Sequence, residues 1–146
     1  MEKSWFRRSE RISRHADSKD RVKKTLKLDQ ILYADKVIKH CKLNDVKTAH
    51  TSLPSGYNPL PNTTQSTPHL YSHYQSIIGS LLYIMLGTHP DIAQAVIKML
   101  QFSSNPSKEH LQKALYIVQY LVGTKNLCIK YDGTSKAGFV AYSDTD

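Results

Sequence analysis

Between Tyr74 and Gly123 the sequence carries three apolar stripes at helical spacing, separated by short proline- and glycine-containing breaks. The first is Ile77, Ile78, Leu81, Leu82 and Met85 within Tyr74 to Leu86, stopped at Gly87. Thr88-His89-Pro90-Asp91 then restarts the chain, with Pro90 suited to a first helical position and Asp91 to the positive end of the helix dipole. The second stripe is Ile92, Ala95, Val96, Met99 and Leu100. Asn105-Pro106 repeats the cap-then-proline start, and Leu111, Ala114, Leu115, Val118, Leu121 and Val122 follow from about Ser107 to Val122, with Gly123 as the stop. Three amphipathic helices joined by such short turns must bury their stripes on one another, so a small helical bundle is expected.

The flanks read differently. Leu28, Ile31, Leu32, Val37 and Ile38 suggest a helix over 26–43 that could form a fourth wall. Residues 44–72 hold Pro54, Gly56, Pro59, Pro61 and Pro68 among many Ser, Thr and Asn, and read as a linker, mobile or draped over a surface. After the bundle the period changes to two. Leu127, Ile129 and Tyr131 alternate with polar residues, Asp132-Gly133 is a turn signal, and Ala137 to Ser143 extends again, which reads as a β-hairpin. Two strands are marginal without more sheet, and no further strand is expected from the sequence. The expected class is α+β, mostly α, in three parts: 1–25, 26–124 and 125–146.

The net charge of +8 in 146 residues is uneven. Residues 1–24 hold nine basic and four acidic side chains, a net +5. This stretch reads as a disordered basic arm, whose Arg7, Arg8, Arg11, Arg14, Lys23 and Lys24 are candidates for non-specific contact with nucleic-acid phosphates. No apolar run approaches the roughly 20 residues a membrane helix needs, and no secretory signal opens the chain. Cys41 and Cys128, far apart and without a CxxC partner, read as reduced thiols in the cytosol or nucleus.

The catalytic inventory is thin. The chain has no Gly-rich phosphate loop and no Gly-x-Ser-x-Gly elbow. His69 and His73 stand at i, i+4, a zinc-ligand spacing, but lack a third ligand, so no metal site is expected. Tyr74, Tyr83, Tyr116 and Tyr120 could stack on bases, though such tyrosines more often edge a core with wet hydroxyls. Asp144 and Asp146 fall on one face of an extended chain, as paired metal ligands do.

The order of several short motifs is informative. Tyr74-Gln75-Ser76-Ile77-Ile78-Gly79-Ser80-Leu81-Leu82-Tyr83, Gly87-Thr88-His89-Pro90-Asp91-Ile92, Phe102-Ser103-Ser104-Asn105-Pro106, Lys108-Glu109-His110, Tyr120-Leu121-Val122-Gly123-Thr124 and Tyr142-Ser143-Asp144 follow one another as in copia-type LTR retrotransposon Pol polyproteins, which the chain resembles over about 26–146. Leu28-Asp29-Gln30, Tyr33 and the segment from Lys47 to Pro54 extend the likeness. The resemblance implies the end of reverse transcriptase, a thumb-like helical region with its linker at 44–72, running into RNase H. Asp144 matches the first RNase H carboxylate, which in intact relatives helps hold Mg²⁺. His89, Gln119 and Val122 stand where the family usually or often carries Arg, Arg and Lys, which implies weaker hold on phosphates.

A Tyr-x-Asp-Asp turn occurs nowhere in the sequence, and one matched carboxylate cannot fix two Mg²⁺ ions. The expectation is therefore a truncated Pol remnant with an incomplete RNase H-type hairpin. It should have no catalytic activity, cofactor, membrane contact or small-molecule substrate of its own. The alternatives are a non-specific RNA- or DNA-binding module and a partner that docks on an intact reverse transcriptase.

Overall fold

The computed structural model describes residues 16–133. The elements run β1 (Ala16–Asp20), β2 (Thr25–Asp29), α1 (Ile31–His40), α2 (Pro68–Gly87), α3 (Ala93–Leu100), α4 (Lys108–Thr124) and β3 (Ile129–Asp132), with a 3-10 turn at Pro90–Ile92 leading into α3. The class is α+β: the described residues form four helices and one three-stranded antiparallel sheet of order β1-β2-β3.

The bundle forms as its stripes require. Tyr74, Ile77, Ile78, Leu81 and Ile84 of α2 face Ala95, Val96 and Met99 of α3, and Ala114, Ile117, Val118 and Leu121 of α4. Ala34, Val37 and Ile38 of α1 close the fourth side. Burying one such large aliphatic side chain is worth about 1.5–3 kcal/mol, so these positions dominate the stability of the fold. Thr67 caps α2 by accepting from the Leu70 amide at 3.3 Å, and Pro68 follows at the first helical position. That cap starts α2 earlier than the stripe alone suggests.

Four sequence expectations are corrected. Residues 26–43 do not form one helix: 25–29 are strand β2, and α1 begins at Ile31. Leu26 and Leu28 alternate around exposed Lys27, but together with Ile31 and Leu32 they imitate helical spacing. Residues 16–24, expected to be part of a disordered arm, form β1 and a turn, paired in register from Ala16↔Asp29 to Asp20↔Thr25. The further sheet that β3 needs is thereby supplied, because β3 pairs with β2 from Thr25↔Asp132 to Leu28↔Ile129. The expected partner strand at Ala137 to Ser143 lies outside the described residues. Finally, α4 is capped by Ser107 rather than Asn105, and it continues through Gly123 to Thr124.

The linker is fastened to the bundle along its length. The Lys98 ammonium donates to the Tyr57 carbonyl, and the His110 ring meets the Leu60 carbonyl at 3.0 Å. The Asn105 amide donates to the Asn62 carbonyl at 3.2 Å and the Thr64 carbonyl at 3.1 Å, while its oxygen accepts from the Ser66 amide at 2.9 Å. Of the two alternatives for a long proline-rich loop, the draped one holds.

Candidate nucleic-acid interface

The tip of the β1–β2 hairpin, Arg21-Val22-Lys23-Lys24, is exposed, and Val22 is 93% accessible. Asp20 shapes it: Oδ1 accepts from the Val22 amide at 3.0 Å and from the Lys23 amide at 2.9 Å. This is an Asx-type turn, which presets the loop. Lys24 takes the left-handed conformation at φ 49°, and its carbonyl accepts from the Gly133 amide at 2.8 Å. A β-carbon on Gly133 would sit 2.9 Å from that carbonyl oxygen, so the close approach of β3 to the tip requires glycine there. Three cations are thus held together on a braced loop, with Lys23 also 3.7 Å from Asp20.

The strands behind the tip are electrically mixed. Lys27 lies directly opposite Lys130, an unfavourable like-charge pair. Two positions along, the same face sets Asp20 and Asp132 on either side of Thr25, and Asp29 stands on that face at the other end of β2. The acids offset the strand lysines, while the tip carries three basic side chains, of which Lys23 lies 3.7 Å from Asp20. Of the sequence candidates, Lys23 and Lys24 are on this tip, while Arg7, Arg8, Arg11 and Arg14 lie outside the described residues. Arg21 joins them, although the sequence reading does not single it out as a site residue. The signal for it is Asp20 followed by a basic run between two alternating stretches.

The remaining candidates take other roles. Tyr74 is fully buried and donates to the Met99 carbonyl at 2.6 Å; burial pushes its phenol well up. Tyr83 meets Tyr33 edge to face at 4.7 Å. Burial, then the Asp91 carboxylate, push the Tyr120 phenol up. Among the described residues the exposed tyrosines are Tyr131 and Tyr71. His69 and His73 come together with ring centroids 6.2 Å apart, and burial followed by the charges of His40 and His69 holds the His73 ring below its ordinary value. Among the described residues no group of three or more His, Cys, Asp or Glu side chains is placed to hold a metal. Asp144 and Asp146 lie outside them. Cys41 and Cys128 are not disulfide-bonded, and burial raises the Cys41 thiol to about 11. Among the described residues no helix is long and apolar enough to cross a membrane.

A second polar cluster is buried where the sheet meets the bundle. Gln30, between β2 and α1, donates from Nε2 to the Tyr83 carbonyl at 3.4 Å and accepts at Oε1 from the Thr88 hydroxyl at 2.9 Å. The Thr88 hydroxyl is also 2.9 Å from His89 Nδ1. His89 Nε2 faces the Thr124 carbonyl at 3.2 Å, and since a carbonyl only accepts, that nitrogen donates. Lys125, the next residue, pairs with Asp35 of α1 at 2.7 Å.

No family model matches the chain, and no solved structure matches it. Curated proteins do. It is 32% identical over 134 residues to the retrovirus-related Pol polyprotein from transposon TNT 1-94 of Nicotiana tabacum, covering 88% of this chain and 10% of that protein. It is 33% identical over 114 residues to the putative transposon Ty5-1 protein YCL074W of Saccharomyces cerevisiae, covering 77% of this chain and 36% of that one. Over 75 residues it is 41% identical to the retrovirus-related Pol polyprotein from transposon RE1 of Arabidopsis thaliana, covering 51% of this chain and 5% of the relative. The chain therefore spans a tenth to about a third of the first two proteins. Similarity to transposon proteins from plants and yeast, sustained over most of its length, identifies this chain as a segment of the copia-type LTR retrotransposon Pol family.

Proposed function

We propose that this chain is a non-catalytic Pol segment that holds nucleic acid through its phosphates, in support of RNA-directed DNA synthesis by the polyprotein family. The observation that carries the reading is the hairpin tip, where Asp20 braces, through the Val22 and Lys23 amides, the exposed turn that carries Arg21, Lys23 and Lys24. Cations presented this way neutralise backbone phosphates without reading bases, so binding is sequence-independent and depends steeply on salt. The bundle behind it corresponds, on this reading, to the thumb-like end of reverse transcriptase, and β3 to the lead-in to an RNase H-type sheet.

The chemistry of the residues supports a binding role over a catalytic one. In-line phosphoryl transfer with two metal ions needs several carboxylates converging on one point. Asp20 is engaged in the tip turn and Asp35 with Lys125, while Asp91 hydrogen-bonds Tyr120. None of these is disposed toward a shared metal site. A mobility-shift titration with an RNA–DNA hybrid at two salt concentrations tests the reading. A shift at low salt that weakens sharply at high salt supports it, and absence of a shift at low salt rejects it. Mg²⁺-dependent primer extension or hybrid cleavage by the purified chain would contradict the non-catalytic role.

A further inference from the structure

We infer that His89 is a positioning residue: it locks the two chain crossings between sheet and bundle to each other, and so sets where the basic hairpin tip sits relative to the helices. Among the described residues no strand residue belongs to the core cluster, and the described strands pack mainly on one another. The described chain passes between sheet and bundle twice, at Gln30 after β2 and over residues 125–128 before β3. Both crossings are gripped from the α2–α3 turn. Gln30 is held by the Thr88 hydroxyl and the Tyr83 carbonyl, and the end of α4 is held by His89 through the Thr124 carbonyl. The single Thr88 hydroxyl hydrogen goes to Gln30 Oε1, so the two halves are joined through the adjacent residues Thr88 and His89, whose Oγ1 and Nδ1 lie 2.9 Å apart.

Gln30, Thr88 and His89 are each 3% exposed or less. Aliphatic side chains would fill that volume without the cost of burying polar groups, which is met only when every group is paired. What the polar relay adds is direction. Each hydrogen bond fixes one chain crossing at one angle, where an apolar contact would tolerate sliding. Gly87 belongs to the same device, because the Gln30 carboxamide occupies the space a β-carbon would take.

The test is hydrogen exchange on the full chain, with affinity for an RNA–DNA hybrid measured in parallel. His89→Leu should speed amide exchange in 25–30 and 129–133 by about tenfold or more, the factor expected for losing one buried hydrogen bond, while α2 and α4 stay protected. Thr88→Val, which keeps the shape and removes the relay hydroxyl, should act in the same direction. His89→Gln, which restores a donor toward Thr124, should recover much of the protection. Unchanged sheet exchange in both His89→Leu and Thr88→Val would overturn the inference. So would equal loosening of sheet and bundle in both, or no recovery with His89→Gln. The consequence for hybrid affinity rests on the proposed function, whereas the exchange result does not. Loosened sheet amides with hybrid affinity unmoved would keep the joint and reject the phosphate-holding role.

Discussion

Gln30 lies across Gly87 so closely that a β-carbon on Gly87 would stand 2.4 Å from Gln30 Oε1. Gly87 ends α2, but its backbone is not left-handed and the cap residue is Thr88. The glycine is there for space rather than for backbone conformation, which differs from the usual reason for glycine at a helix end.

Gly87→Ala should therefore destabilise the chain by about 1–3 kcal/mol, the range for an added methyl in a filled site. The same change should cost much less in a Gln30→Ala background, because the clash is with that side chain. Urea unfolding of the four proteins in this cycle measures the coupling. Equal costs in both backgrounds would show that Gln30 is not what Gly87 makes room for.

His110 completes a reciprocal cap on α4. The Ser107 hydroxyl accepts from the His110 amide at 3.1 Å, and His110 Nδ1 accepts from the Ser107 amide at 3.1 Å. Nδ1 must be bare to accept, so the hydrogen sits on Nε2 and is donated to the Leu60 carbonyl. Burial holds the ring below its ordinary value of 6.5, partly opposed by Leu60 and Glu109. The unfolded chain then takes up a proton that the folded chain refuses. Stability is full above the ordinary histidine range and falls as pH drops below 6.5 toward the folded value. His73, lowered by burial and by His40 and His69, acts in the same direction. Urea midpoints at about pH 7.5 and pH 5 should show this loss, and His110→Gln should reduce it while costing roughly 1–2 kcal/mol at neutral pH.

Tyr74→Phe removes the hydroxyl that donates to the Met99 carbonyl, yet that carbonyl keeps the Phe102 amide at 3.1 Å as a partner. The expected loss is about 1 kcal/mol, since the acceptor is not left bare. Leu81→Ala, at a fully buried position, should cost about 3–5 kcal/mol through reduced burial and a cavity. Chemical denaturation that ranks the two the other way would mean the bundle is held by polar ties more than by packing.

The bundle is legible in the sequence because its stripes are long and its breaks are strong: Pro90 and Pro106 stand at helix entries, and most of the marked stripe is buried, although Leu100 of the stripe is exposed and Ile84 and Ile117, outside it, are fully buried. β2 is not legible. Five residues, with Leu26 and Leu28 followed directly by an amphipathic helix, cannot be told from that helix by periodicity. The hairpin tip is half visible. Lys23 and Lys24 stand out as charges, whereas Asp20, which organises them, reads only as an acid in a basic stretch. The buried relay leaves almost no trace, because Gln30 and Thr124 are 94 positions apart and each reaches Thr88 or His89 only once the helices close.

The central claim is that the braced tip carries nucleic-acid binding, and the salt dependence of affinity for an RNA–DNA hybrid tests it most directly. With Arg21, Lys23 and Lys24 all replaced by Gln, the slope of log K against log salt should fall by roughly 2–3 units, about 0.9 for each phosphate no longer neutralised. Affinity should drop alike for unrelated sequences. An unchanged slope and affinity in that variant, with the hairpin intact by hydrogen exchange, would contradict the account.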